Sequence, residues 1–360
     1  MRELDFVGKL FQQNALTRIR EHLSGTNYAP LVVELDLTTF CNIKCPECVN
    51  RALLNKDEFS KDRLFEILQD MKHSGVRNII LIGGGEPLLY PYLEETLAFC
   101  HSLGFDIGLV TNGVLLGAHA EIINDTVKWV RISVDAATPD TYFRCKGINA
   151  FDTVINGITK LCGNKKPKVG FSFLIGSTEG NSCNIHELND AAHLAESIGC
   201  DYFELKPMVD QQHFLCCYNT RMLTMINEFI EKSSRLNIPV IYPKSIDHLL
   251  KGGGEQQKTY HACLIARYRT LLTPYGVFPC PYKRGVTEKK ACNIDMNRSF
   301  WETRDRIQRI DACLDPSVDC RFFCIRNESN LLLHTIYELY NSKIDLLQHF
   351  KTYDTNDLFI

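Results

Sequence analysis

Between residue 30 and about residue 245 the sequence alternates between short β-branched runs, six of them, and longer helix-like stretches. The runs are LVVELDL (31–37), VRNIILI (76–82), FDIGLV (105–110), KWVRISV (128–134), KVGFSFLI (168–175) and DYFELK (201–206). Between them lie segments with helical spacing of apolar residues, such as 60–75 and 184–199, and Gly75 and Gly199 fall where a helix end takes a left-handed residue. Runs this nearly apolar predict strands covered on both faces, which means a parallel sheet with helices outside it. Six βα units joined by right-handed crossovers give an open doubly wound sheet or a partial barrel. We expect an α/β fold, a partial (β/α)6 TIM-like barrel. In either architecture the chemistry sits at the carboxyl ends of the strands.

Beyond residue 245 the texture changes. KGGGEQQK (251–258) reads as a polar, glycine-rich linker, and YRTLLTPYGVFPC (268–280) as a hairpin turning at Pro274-Tyr275-Gly276. The expected division is a helical extension over 1–29, a core domain over 30–250, a small cysteine-rich domain over 251–330 and a helical tail over 331–360. The net charge of −3 gives no electrostatic case for nucleic acid, and the KRGVTEKK run near Lys283 reads as a solvated loop. No apolar run reaches the ~20 residues of a membrane span, and the first residues lack the apolar core of a signal peptide, so the expected compartment is the cytoplasm. Sixteen cysteines in such a chain point to metal or redox chemistry rather than disulfides. Cys100, Cys162 and Cys200 stand alone in helix-like or helix-end stretches and read as small apolar residues.

Cys41-Asn-Ile-Lys-Cys45-Pro-Glu-Cys48 follows directly on the first strand. Three thiolates on one loop suit a soft metal. Four would close a zinc or iron–sulfur site, whereas three leave one iron of a [4Fe–4S] cube open to a small molecule. A zinc ion completed from elsewhere in the chain is the alternative. Gly83-Gly84-Gly85-Glu86-Pro87 ends the second strand, where glycines let the backbone approach a ligand and a carboxylate can meet an amino group. Asn112 ends the third strand, and Ser133 and Asp135 flank the end of the fourth.

The three-cysteine loop and the GGEP motif resemble those of the radical S-adenosylmethionine (SAM) superfamily, over roughly residues 30–245. The resemblance implies a [4Fe–4S] cluster on Cys41, Cys45 and Cys48, with SAM on the open iron. It implies reductive cleavage to a 5′-deoxyadenosyl radical that abstracts hydrogen, fed by an external one-electron donor such as flavodoxin or ferredoxin. Gly83, Gly84, Gly85, Glu86, Pro87, Asn112, Ser133 and Asp135 are then the SAM-binding candidates, and Arg144 is a further partner for its carboxylate. One departure stands in the loop, where Glu47 occupies a position at which the family usually has an aromatic residue.

Six more cysteines follow residue 250. Cys263 and Cys280 bracket the hairpin, and Cys320 and Cys324 come later, in a pattern that resembles the SPASM domain or its shorter twitch form. That resemblance implies one auxiliary [4Fe–4S] cluster on Cys263, Cys280, Cys320 and Cys324, with Cys313 the rival for the fourth place and Cys292 a distant one. A zinc ribbon is the alternative. The expected substrate is a small carbohydrate-like or cyclitol alcohol, undergoing dehydrogenation or epimerisation. Cys216 and Cys217, just beyond the sixth strand, are candidate hydrogen donors for the latter, and Lys206 and His213 candidate bases. A maturase of ribosomally made peptides and a non-catalytic iron–sulfur scaffold are the alternatives.

Overall fold

The computed structural model describes residues 6–345 and 347, apart from 165, 177–182, 211 and 217. The six expected strands form as β1 (Val32–Asp36), β2 (Asn78–Ile82), β3 (Asp106–Thr111), β4 (Trp129–Ser133), β5 (Lys168–Ile175) and β6 (Tyr202–Pro207). They pair in parallel and in chain order, as successive βα units require. A short β7 (Val240–Ile241) continues the sheet beyond β6. The predicted hairpin is β8 (Arg269–Thr273) and β9 (Gly276–Phe278), and β8 pairs in parallel with β1. The cysteine-rich region is therefore hydrogen-bonded into the barrel sheet.

The two faces of these strands differ. Val33, Leu35, Ile79, Leu81, Ile107, Leu109, Val130, Ile132, Phe171 and Phe203 are buried in one continuous core with apolar residues of the outer helices, such as Leu64, Leu68, Leu97 and Ile158. The alternate residues, Glu34, Ile80, Arg131, Glu204 and Lys206, line a cavity of about 1540 Å³ inside the curve of the sheet. The nearly continuous apolar reading holds for the outward face alone; strand periodicity of two sends the charges of VVELD, WVRIS and YFELKP inward.

Two stretches, read as a linker and a solvated loop, are largely exposed or half-buried, yet each sends side chains into the packed interior. Lys258, in the supposed linker, is 3% exposed and donates to the Phe322 carbonyl at 2.9 Å, while the Gln256 side chain accepts from the Cys324 amide at 3.0 Å. Arg284, in the basic run, donates to both oxygens of buried Asp36, at 2.6 and 3.1 Å. The last described helix runs Asn327–Asn341, earlier than its periodicity suggested. Among the described residues no helix is long and apolar enough to cross a membrane.

Candidate active site

The cysteine loop leaves the end of β1 and is held against the ends of β2 and β3. The glycines make this approach possible. A Cβ on Gly83 would lie 1.6 Å from the Gly85 carbonyl oxygen, and one on Gly85 2.3 Å from the Phe40 carbonyl oxygen. With neither present, the Gly85 amide donates to Thr38 and the Glu86 amide to Phe40, at 3.2 and 2.8 Å, so the GGGEP turn lies directly on the chain entering Cys41. Asn50 donates to the Gly83 carbonyl at 3.3 Å, and Asn112 donates to the Asn42 side chain at 2.8 Å, closing the loop from two more sides.

Cys41, Cys45, Cys48, Gly83, Gly85, Glu86, Asn112 and Ser133 come together around a cavity of about 190 Å³. Gly84 faces Asp36 and Arg284 instead, and Pro87 is buried at the start of a short helical turn. The Glu86 carboxylate is already occupied. It accepts from the Thr111 hydroxyl at 2.6 Å and from the amides of Asn112 and Leu88 at 2.8 and 3.1 Å. Burial raises its pKa and these donors oppose the rise. Its direct effect is to lock the ends of β2 and β3 together.

Lys146, which the sequence reading passed over, supplies the cation of this cavity. It closes the helix Pro139–Lys146, is 4% exposed, donates to Ser133 at 2.9 Å and is ion-paired with Asp135. Burial would lower its pKa, but Asp135 and the Cys45 thiolate outweigh burial and raise it. Asp135 has φ of +63°, a left-handed turn that Asp tolerates, and its second oxygen accepts the Leu174 amide at 2.8 Å. Ser133 and Asp135 therefore set the ammonium in place. Arg144 is turned elsewhere, with Thr141 at 2.7 Å and Asp140 at 3.5 Å.

The donor set fits a cluster. Burial pushes the Cys41 thiol up to about 11, and Glu86, Cys45 and Cys48 add to the rise. Burial also raises Cys45, against the pull of Lys146. Thiols of this kind ionise when a metal centre takes the charge. Among the described residues no three His, Cys, Asp or Glu side chains form a group that could hold a single metal ion. A cubane asks for a different arrangement, one thiolate to each of several irons.

The second set also converges. Burial raises Cys263, and Cys280, Cys324 and Cys320 raise it further. Cys280 is pushed up to about 11 by burial with Cys324 contributing, and Cys320 to about 12 by burial with Cys280 and Cys324 contributing. Cys313 is aimed away, its thiol donating to the carbonyls of Ile310 and Lys289 at 3.3 and 3.4 Å. Cys292 feels Arg309 and Asp295 rather than these cysteines. Rings lie beside this set, with Tyr282 and Phe322 centred 4.7 Å apart and His213 4.9 Å from Tyr282. His213 thus packs among these rings. Asn330 donates to the Cys263 sulfur at 3.7 Å.

Lys206 lies on the wall of the large cavity, 2.9 Å from Glu204. Cys216 sits next to Leu215, which lines that cavity, and its amide donates to Met208 at 3.0 Å. Cys217 lies outside the described residues. Ile82 and Val110 line both cavities, so the two are neighbours.

Residues 35–189 match the family model of the radical SAM superfamily. The AdoMet-dependent heme synthase of Methanosarcina barkeri is 28% identical over 178 residues, 48% of each chain, so this chain spans about half of that relative's length. Mycofactocin maturase MftC of Mycobacterium ulcerans is 24% identical over 278 residues, 74% of this chain and 73% of that one. The crystal structure of Streptococcus suis SuiB bound to precursor peptide SuiA superposes with a TM-score of 0.61 at 16% identity, over 80% of this chain and 68% of that one, a likeness of fold.

Proposed function

We propose, for a chain whose residues 35–189 form a radical SAM domain, that it abstracts hydrogen from a ribosomally made peptide. The observation that carries this reading is the size of the lumen. About 1540 Å³ exceeds the 300–1,000 Å³ usual for small-molecule sites, which leaves room for a peptide segment beside SAM. The maturase relative and the peptide-bound fold neighbour support the same direction.

Cys41, Cys45 and Cys48 would hold the cluster, and Gly83, Gly85, Asn112, Ser133 and Lys146 would surround SAM. Cluster and SAM together supply a 5′-deoxyadenosyl radical when bound. The chain's own residues do the rest. Lys146, set by Ser133 and Asp135, offers an ammonium suited to the SAM carboxylate. Glu86 holds the strand ends that frame the site. Ile82 and Val110 line both cavities, where SAM would meet a substrate held in the lumen. Cys263, Cys280, Cys320 and Cys324 are proposed to hold an auxiliary cluster beside the lumen, where Tyr282 and Arg326 form the wall.

A small alcohol substrate is the second reading, and Lys206 favours it. Burial and Arg131 bring this lysine down to about 8, which suits a base for a hydroxyl proton. Cys216 would then be the candidate hydrogen donor for an epimerisation. The test compares 5′-deoxyadenosine release, with deuterium tracing, for reduced, reconstituted protein given synthetic peptide pools or a panel of cyclitols and sugars. Peptide-dependent release with a mass change in the peptide is the expected result. Release driven by the cyclitol panel alone would overturn the peptide reading in favour of the second.

A further inference from the structure

We infer that the middle of the lumen is a carboxylate-recognition site, so that the proposed peptide presents an acidic residue to the radical. Six charged side chains wall that middle layer: Arg131, Lys206, Arg269 and Arg326 against Glu34 and Glu204. Cations outnumber carboxylates there. Counting Arg326 against the neighbouring Cys280 and Cys324 thiolates still leaves three cations facing two carboxylates. At the far mouth Lys128 and Lys166 are paired, each 2.5 Å from Asp106 and Asp125 respectively.

The two halves of the layer are held differently. Glu34 is 1% exposed and gripped by Arg269 at 2.5 Å and Arg326 at 2.9 Å. Burial alone would raise its carboxyl, yet the two guanidinium groups hold it down at about 2. Across the lumen, Arg131 stands 3.4 Å from both Glu204 oxygens, and Lys206 sits 2.9 Å from one of them. A loose pairing of this kind leaves guanidinium donors able to turn toward an incoming carboxylate, for which the planar fork of Arg is well shaped. Arg131 and Arg269 also repel one another across the space, which an anion between them would relieve. Lys206 is close enough to feel Asp135, which places the recognised carboxylate near the SAM end of the lumen.

The word peptide here rests on the function proposed above; the carboxylate rests on this layer alone. The experiment uses reconstituted protein with SAM bound and calorimetry with three probes. Two are synthetic nonapeptides that differ only in Glu against Gln at two positions, and the third is sodium glutarate. The Glu peptide should bind about tenfold tighter than the Gln peptide, the scale of one charge-assisted contact. Arg131→Gln and Lys206→Gln should each shrink that ratio. The second variant carries the test if the first does not fold. Equal affinity for both peptides, or a ratio that survives both variants, would overturn the inference and leave the peptide reading standing. Glutarate binding that needs Arg131 and Lys206, with neither peptide bound, would uphold carboxylate recognition and remove the peptide.

Discussion

The two cysteine sites are built by opposite means. Cys41, Cys45 and Cys48 lie within one loop, and the chain around them brings a cavity of about 190 Å³, glycine backbone and a buried ammonium. Cys263, Cys280, Cys320 and Cys324 are gathered from both sides of a hairpin and a distant loop, and Cys263, Cys320 and Cys324 pack with Tyr282, Phe322 and Phe214. Three donors with room beside them suit a centre that must receive a ligand. Four donors beside rings suit one whose ligand set is already complete. The difference is tied together by one ion pair: Arg284, four residues after Cys280, grips Asp36 at the end of β1, five residues before Cys41.

Single cysteine replacements give the largest test of that contrast. Cys45→Ala should abolish SAM cleavage and lower bound iron from about eight to about four per chain. Cys320→Ala should lose a similar amount of iron yet keep SAM cleavage in the absence of substrate. Cys313→Ala should leave iron as it was, because its thiol is engaged with two backbone carbonyls. Iron and sulfide analysis beside a 5′-deoxyadenosine assay reads all three. Equal loss of SAM cleavage from Cys45→Ala and Cys320→Ala would erase the distinction between the sites, and iron loss from Cys313→Ala would redraw the second.

Lys146 sharpens the comparison at the next scale. Lys146→Met removes the ammonium from the open site and leaves Asp135, 5% exposed, without its ion partner. Breaking a buried pair in this way costs about 3–5 kcal/mol of stability. SAM affinity should fall at least tenfold while both clusters remain, as equilibrium dialysis and iron content would report. Lys146→Met/Asp135→Asn should recover much of the melting temperature and none of the SAM affinity. Full SAM affinity in either variant would place the carboxylate of SAM elsewhere.

The open site was far more legible in the sequence than the lumen, for physical reasons. A three-cysteine loop and a glycine turn are local, so their spacing reports their geometry. Lys146 is eleven residues from Asp135 on the next helix, and only the fold brings the two together. The same applies to Arg284 and Asp36, 248 residues apart, and it is why KRGV looked like a solvated loop. The lumen did leave a local signal. Glu34, Arg131, Glu204 and Lys206 interrupt strands that are otherwise apolar, and they all fall on one side of a period of two. Reading those runs as nearly continuous hid the side that faces the lumen. The barrel itself was legible because six strand-helix alternations permit few other arrangements.

The finest distinction lies between the two lysines, Lys146 in the open site and Lys206 in the lumen. Asp135 and the Cys45 thiolate raise Lys146, so its charge persists through the neutral and mildly alkaline range. Lys206 is brought down to about 8 by burial and by Arg131 on β4, against Glu204 on its own strand and Asp135 beyond β4. A lysine whose folded pKa is lowered loses its proton as pH rises through that value. Between pH 7 and pH 9 its charged fraction falls from roughly nine-tenths to one-tenth. Binding of the Glu nonapeptide should therefore weaken several-fold over this interval, while the Gln nonapeptide and SAM stay nearly constant. In Lys206→Gln the pH dependence of the Glu peptide should flatten. A wild-type profile that is flat from pH 7 to 9 would mean that Arg131 and Arg269 recognise the carboxylate without the lysine. A slope that persists in Lys206→Gln would assign the titration to another group.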